Sequence, residues 1–189
     1  MGRGRLEAFS DGVIAIIITI MVLELKLPQG ADWAALLPIV PVFFAYVLSF
    51  VFIGIYWNNH HHMLQTVERV SASVLWANLH LLFWLSLVPF ATGWMGEHHT
   101  SAAPTAAYGA VLVFAAVAYT LLQNAIVAQH GPGSKLARAI GKNRKGWASL
   151  FCYAAAIPLA FVNPWLSDAL YILVALVWLV PDRRIEAVL

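Results

Sequence analysis

The sequence predicts an all-α integral membrane protein with six transmembrane helices, and three observations carry that expectation. The chain is 61% hydrophobic and 11% charged, with eight tryptophans, where soluble domains are roughly 45–50% apolar. Six apolar runs approach the roughly 20 residues that a helix needs to cross a bilayer. Lys and Arg collect on one side of the alternating path that those runs define.

The runs lie at about 8–25, 34–57, 71–95, 105–128, 145–162 and 164–181, so almost nothing remains for a soluble domain and residues 1–189 read as one six-span unit. The first run follows a charged and hydroxylated patch, RLEAFSDG from Arg5, and then continues as VIAIIITIMVL with Thr19 as its one polar side chain. It carries Asp11 and ends in LELKLP without a small-residue cleavage pattern, so it is expected to stay as a helix and not to be removed as a signal peptide. Pro28-Gln29-Gly30 leads into the second run, which finishes in IYWNNHHHM. The third carries Asn78 and His80 within its first turns. Between the fourth and fifth, HGPGSKLARAIGKNRK at about 130–145 reads as a basic loop with a short amphipathic helix that touches anionic lipid. Asn163-Pro164 separates the last two runs. Cys152, the single cysteine, sits in an apolar span and reads as a small buried hydrophobe.

Arg3, Arg5, Arg69, Lys135, Arg138, Lys142, Arg144, Lys145, Arg183 and Arg184 fall on one side of this path and only Lys26 on the other. Both termini are therefore expected in the cytoplasm. These loops account for the basic excess, and no nucleic-acid partner is expected. The chain has no GxSxG, HExxH, P-loop or glycine-rich nucleotide fingerprint, so neither an enzyme nor a cofactor site is predicted.

An ionisable group inside a span costs about 2.5–3.5 kcal/mol on insertion scales and normally faces a partner or water. Asp11 needs such a partner. Arg5 is six positions earlier and lies on a different helix face. Trp57, Asn58, His60, Asn78 and His80 are predicted to share a cytoplasmic-side layer with Ser10 and Asp11, and their N–H groups suit a carboxylate. Such a layer is either helix-to-helix glue or a gate with a proton-sensitive latch. His60, His61 and His62 invite a metal reading, but consecutive helical residues point about 100° apart and cannot converge on one ion.

On the first helix, Ile16, Ile20 and Leu23 form a stripe at i, i+4, i+7, which Gly12 extends toward the cytoplasm, with Ala15 and Thr19 beside it. Periodicity alone makes this a lipid-facing or bundle-facing surface. Glu24, about 100° off the stripe near the external mouth, is either a member of a carboxylate ring that concentrates cations or a partner for Lys26 at a solvated helix end.

Arg5, Phe9, Ser10 and Asp11, read as R-x-x-x-F-S-D at the head of the first span, resemble the signature of the transmembrane protein 175 family. YWNNHHHM and WANLHLLFWLSLVPF in the next two spans look like its bacterial branch. The resemblance implies a K⁺-favouring channel of the bacterial plasma membrane, with K⁺ as the permeant ion and a homotetramer around a central pore lined by the first helix. Carried over by position, Ile16 becomes the narrowest ring, Ile20 and Leu23 the next two, and Thr19 a hydroxyl beside the constriction. The absence of TVGYG excludes a carbonyl-ring filter of the familiar potassium-channel type. The rival reading is a secondary transporter with Asp11 and His80 as a proton relay. Against it stand the lack of inverted repeats and of broken helices near the midplane.

Overall fold

The computed structural model describes residues 2–141 and 143–179. Lys142, Arg183, Arg184 and the last two residues of the sixth predicted run lie outside them. Among the described residues every regular element is helical: α1 (Arg3–Leu23), a 3₁₀ segment (Trp33–Ile39), α2 (Val40–Gln65), α3 (Ala72–Ser86), α4 (Val88–Glu97), α5 (Ala102–His130), α6 (Lys135–Ile140), α7 (Arg144–Ala160) and α8 (Pro164–Leu179). Four stretches are long and apolar enough to cross a membrane: Arg3–Leu23, Trp33–Gln65, Ala72–Glu97 and Ala102–His130. Pro164–Leu179 is a shorter apolar helix.

Several helices outrun their apolar runs because polar residues at a span's end still complete backbone hydrogen bonds. The first starts at Arg3, not residue 8, with Arg3 paired to Glu7 at 3.4 Å one turn on. The second continues through NNHHHM to Gln65, and Asp32 opens its 3₁₀ lead by accepting from the Ala35 N–H at 3.0 Å. The third run divides at Leu87 into α3 and α4. Pro89 has no N–H for the Leu85 carbonyl and its ring crowds that carbonyl, which ends one helix and starts the next. The short basic helix expected in the 130–145 loop is α6, capped by Ser134, with Leu136 and Ala139 buried and Lys135 and Arg138 exposed.

Side-chain contacts tie the helices together at both ends of the bundle. At one end Arg3 donates to the Gln65 carbonyl (3.1 Å), Gln129 donates to the Arg69 carbonyl (2.7 Å), and Trp178 of α8 reaches Ser149 near the start of α7 (2.8 Å). At the other, Lys26 pairs with Glu97 at 2.6 Å. Helix α1 packs on α2, α3 and α4, while α7 and α8 pack on each other and on α5. One core joins α1, α3 and α5 through Ile14, Ile17, Leu81, Leu85 and Leu122; another gathers Phe52, Tyr108, Tyr153 and Tyr171.

Two glycines permit the closest crossings. A Cβ on Gly96 of α4 would stand 2.8 Å from the Val42 Cα of α2. One on Gly109 of α5 would strike the Tyr171 hydroxyl of α8, which donates to the Thr105 carbonyl at 3.0 Å. Gly96→Ala is therefore expected to cost ~1–3 kcal/mol by overpacking against backbone and to lower the melting midpoint in detergent. Gly54→Ala, where a Cβ meets nothing within 4 Å, should leave it unchanged or raise it. Equal midpoints for Gly96→Ala and wild type would contradict the close crossing.

Candidate functional site: the first helix and its polar anchor

Helix α1 has two unlike faces. Leu6, Ser10, Ile14, Ile17 and Met21 recur every three or four residues and are buried against the rest of the chain. On the other side Ile16, Ile20 and Leu23 are 58%, 41% and 79% exposed, beside exposed Gly12, Ala15 and Thr19, whereas Ile17 is 3% exposed. The Thr19 hydroxyl donates to the Ile16 carbonyl at 2.9 Å. Its proton is thereby used within the helix and its oxygen keeps lone pairs for another donor or a cation.

The rotation that produces these faces is held by a buried polar chain. Ser10 Oγ donates to the Leu6 carbonyl (2.8 Å) and accepts from Asn78 Nδ2 of α3 (3.0 Å). Asn78 Oδ1 is met by His60 Nε2 of α2 at 2.7 Å. An amide oxygen can only accept, so His60 carries its proton on Nε2, and Nδ1 is left buried without a hydrogen bond. All three side chains are at most 1% exposed. Beside this chain, Trp57 Nε1 donates to Asp11 Oδ1 at 3.0 Å, and its ring stacks on His61, which bonds Gln65 at 2.8 Å.

Other predicted members of the layer are placed elsewhere. His80 is exposed on α3 and accepts from Trp84 Nε1 at 2.9 Å, one turn along its own helix. It lies two residues, about 200° of helix, from Asn78 and so cannot share its direction. Asn58 is part-buried and, about 100° from Trp57, is not brought to Asp11. Phe9 is half exposed, and Arg5 is exposed with no side-chain bond among the described residues. Within the triple histidine, His60 turns to Asn78 and His61 to Gln65.

At the opposite end of α1, Lys26 is taken by Glu97, whose bonded carboxylate raises the lysine's pKa above its ordinary value. Glu24 instead lies against Gly93, its Oε2 3.3 Å from where a Cβ would stand. With Ile16, Ile20, Phe90 and Trp94 it borders an open groove between α1 and α4. Glu97 was not among the residues singled out in the sequence, because no local spacing links it to Lys26.

Removing the middle of the buried chain is the sharpest local test. Asn78→Ala strips a partner from both Ser10 and His60, each left unsatisfied at ~1–3 kcal/mol. Trp57→Phe removes one N–H at a half-exposed site and should cost less, about 1 kcal/mol. The expected order of melting midpoints is wild type, then Trp57→Phe, then Asn78→Ala clearly lowest. Asn78→Ala melting with wild type would show that the chain is not what holds α1.

The sequence family described as endosomal/lysosomal potassium channel TMEM175 matches residues 5–89. A protein of Chryseobacterium sp. (strain P1-3) named a potassium channel is 56% identical over 186 residues, covering 98% of this chain and 97% of that one. Another so named, from Chamaesiphon minutus, is 35% identical over 178 residues, 87% of each chain. The crystal structure of a lysosomal potassium-selective channel TMEM175 homologue from Chamaesiphon minutus superposes with a TM-score of 0.83 at 29% identity, covering 95% of this chain and 97% of that one. With near-complete coverage by a relative of this identity and an all-helical fold in common, the chain belongs to the TMEM175 family of potassium channels, a family of ion channels and not of enzymes.

Proposed function

We propose that the chain is the subunit of a K⁺-favouring channel of the bacterial plasma membrane. All six predicted runs cross the bilayer as one domain, both termini lie in the cytoplasm, and four copies surround a pore lined by α1. Ile16 forms the narrowest ring, Ile20 and Leu23 the next two, and Thr19 offers a hydroxyl oxygen beside them. No resident cofactor is involved, and K⁺ is the permeant ion.

The observation that carries this reading is the outward face of α1. From Gly12 to Leu23 it offers aliphatic, small and hydroxyl side chains with no aromatic ring. The outward face of α2 is unlike it, with Phe43, Phe44 and Phe50 exposed, large rings suited to lipid chains. A smooth aliphatic face permits close approach of symmetric copies, and one chain supplies one such face, so a closed ring requires several chains.

A ring of isoleucines closes a pore by dewetting. An ion passing it gives up part of its hydration, which costs the larger K⁺ less than Na⁺, so the discrimination is modest and comes from dehydration. Ser10 and Asp11 belong to the helix's seat, not to the ion path. Glu24 borders the groove while Lys26 is paired with Glu97, which supports the cation-ring reading. Asp11 bonded to Trp57 and His80 bonded to Trp84 on a different face support the channel reading over a relay between those two residues.

Substituting Asn at two adjacent positions tests the assignment. Ile16→Asn hydrates the constriction and should bring Na⁺ flux into proteoliposomes close to K⁺ flux. Ile17→Asn buries an unpartnered amide and should lower stability while the remaining flux keeps its K⁺ preference. Lost discrimination at Ile17 with Ile16→Asn unaffected would overturn the pore face. Native mass spectrometry of the purified protein should give a tetramer, and a monomer that still conducts would refute the shared pore.

A further inference from the structure

We infer that the chain holds an anionic phospholipid of the cytoplasmic leaflet in a lateral seat between α2, α5 and α7, away from the α1 face. The inference goes beyond the channel reading and rests only on the membrane placement of these helices.

A cavity of about 80 Å³ lies between these helices, beneath α6. Its walls are mostly apolar, with Phe52, Ile55, Leu150 and Tyr153, and Asn59, Thr120, Ser149 and Gln123 of α5 also border it. Gln123 is 6% exposed, and its amide makes no side-chain hydrogen bond among the described residues. Its two N–H donors, at the edge of a mostly apolar space, suit the ester carbonyls of a glycerolipid. The volume accommodates only that part of a lipid, leaving its chains to lie along the outer surface of α7, where Phe151 is exposed.

Helix α6 and the first turn of α7, whose neighbouring residues line the cavity, supply the charge. Asn143, Gly146 and Trp147, at the start of α7, line the cavity. Arg144 in that first turn and Arg138 of α6 are both exposed, while the free N–H groups of α7 add positive potential. Buried Leu136 and Ala139 fix α6 so that Arg138 stays at the surface. Trp147, exposed at the first turn of α7, marks the headgroup level where tryptophan is favoured. Amide donors for the esters inside, two guanidinium groups outside and an apolar exit match a phosphate diester carrying acyl chains. Basic pockets between helices on the cytoplasmic side are used in this way by other membrane proteins.

Native mass spectrometry after exchange into detergent with phosphatidylglycerol or phosphatidylcholine tests this without any flux measurement, so its failure is distinct from failure of the channel reading. The expected result is retention of phosphatidylglycerol at roughly tenfold lower concentration than phosphatidylcholine, the preference two nearby cations supply. The double substitution Arg138→Gln, Arg144→Gln, at exposed positions that leave the fold alone, should abolish the preference. Gln123→Leu should weaken retention of both lipids. Equal retention of the two lipids by the wild-type protein, or a preference that survives the double substitution, would overturn the proposal.

Discussion

Asn78 is a buried amide that faces two helices at once, and its two ends cannot be exchanged. The Nδ2 group must donate and does so to Ser10; the Oδ1 atom must accept and takes the His60 proton. In a hydrocarbon setting an unmet polar group costs more than most packing contacts return. A rotation of α1 that separated Ser10 from Asn78 would expose two such deficits together. Thus α1, α2 and α3 are keyed to one another at one end of the bundle, and the direction of every other α1 side chain follows from helix geometry. Ile17 points inward and Ile16 outward because Ser10 is where it is. Asp11 and Trp57 make a second, more accessible tie in the same layer.

That link from anchor to face explains why a charged and hydroxylated patch can sit at the root of an apolar helix. The patch supplies direction that the apolar segment lacks. A run such as VIAIIITIMVL has nearly the same hydropathy on all sides, so packing alone discriminates weakly between rotations. A few hydrogen bonds with obligatory donors and acceptors discriminate strongly. The Lys26–Glu97 pair ties α1 to α4 at the far end, but it is exposed and adds little stability. Under the proposed reading, α1 is fixed firmly at the inner end and more loosely at the outer one.

The sequence made the helical rods legible because each run that can be buried in lipid must be apolar for most of its length, and few other folds write that pattern. The ends were harder. Nothing in hydropathy says that RGRLEAFSD and NNHHHMLQ continue their helices, since polar residues are equally at home in loops. Part of the polar layer was legible, because depth along each span can be counted: Trp57 meets Asp11, Asn78 meets Ser10, and His60 joins them through Asn78. Which member pairs with which depends on the mutual rotation of three helices, and a single sequence does not encode that locally. His80 shares the depth of Asn78 and fails only by its direction. Glu97 escaped notice for the opposite reason: it lies at a helix end, where an acidic residue is unremarkable until a distant lysine is brought beside it.

The side of α1 that meets water decides whether this helix lines the pore. Cys152 is the chain's single cysteine, so a background with Cys152→Ala allows one cysteine at a time to be placed along the helix. The rate at which a charged, water-soluble thiosulfonate alters K⁺ flux at each position then reads the face directly. The predicted pattern is modification and block at 12, 16, 20 and 23, with 14, 17 and 21 unreactive. Reaction and block at 14, 17 and 21, with 16 and 20 silent, would contradict it.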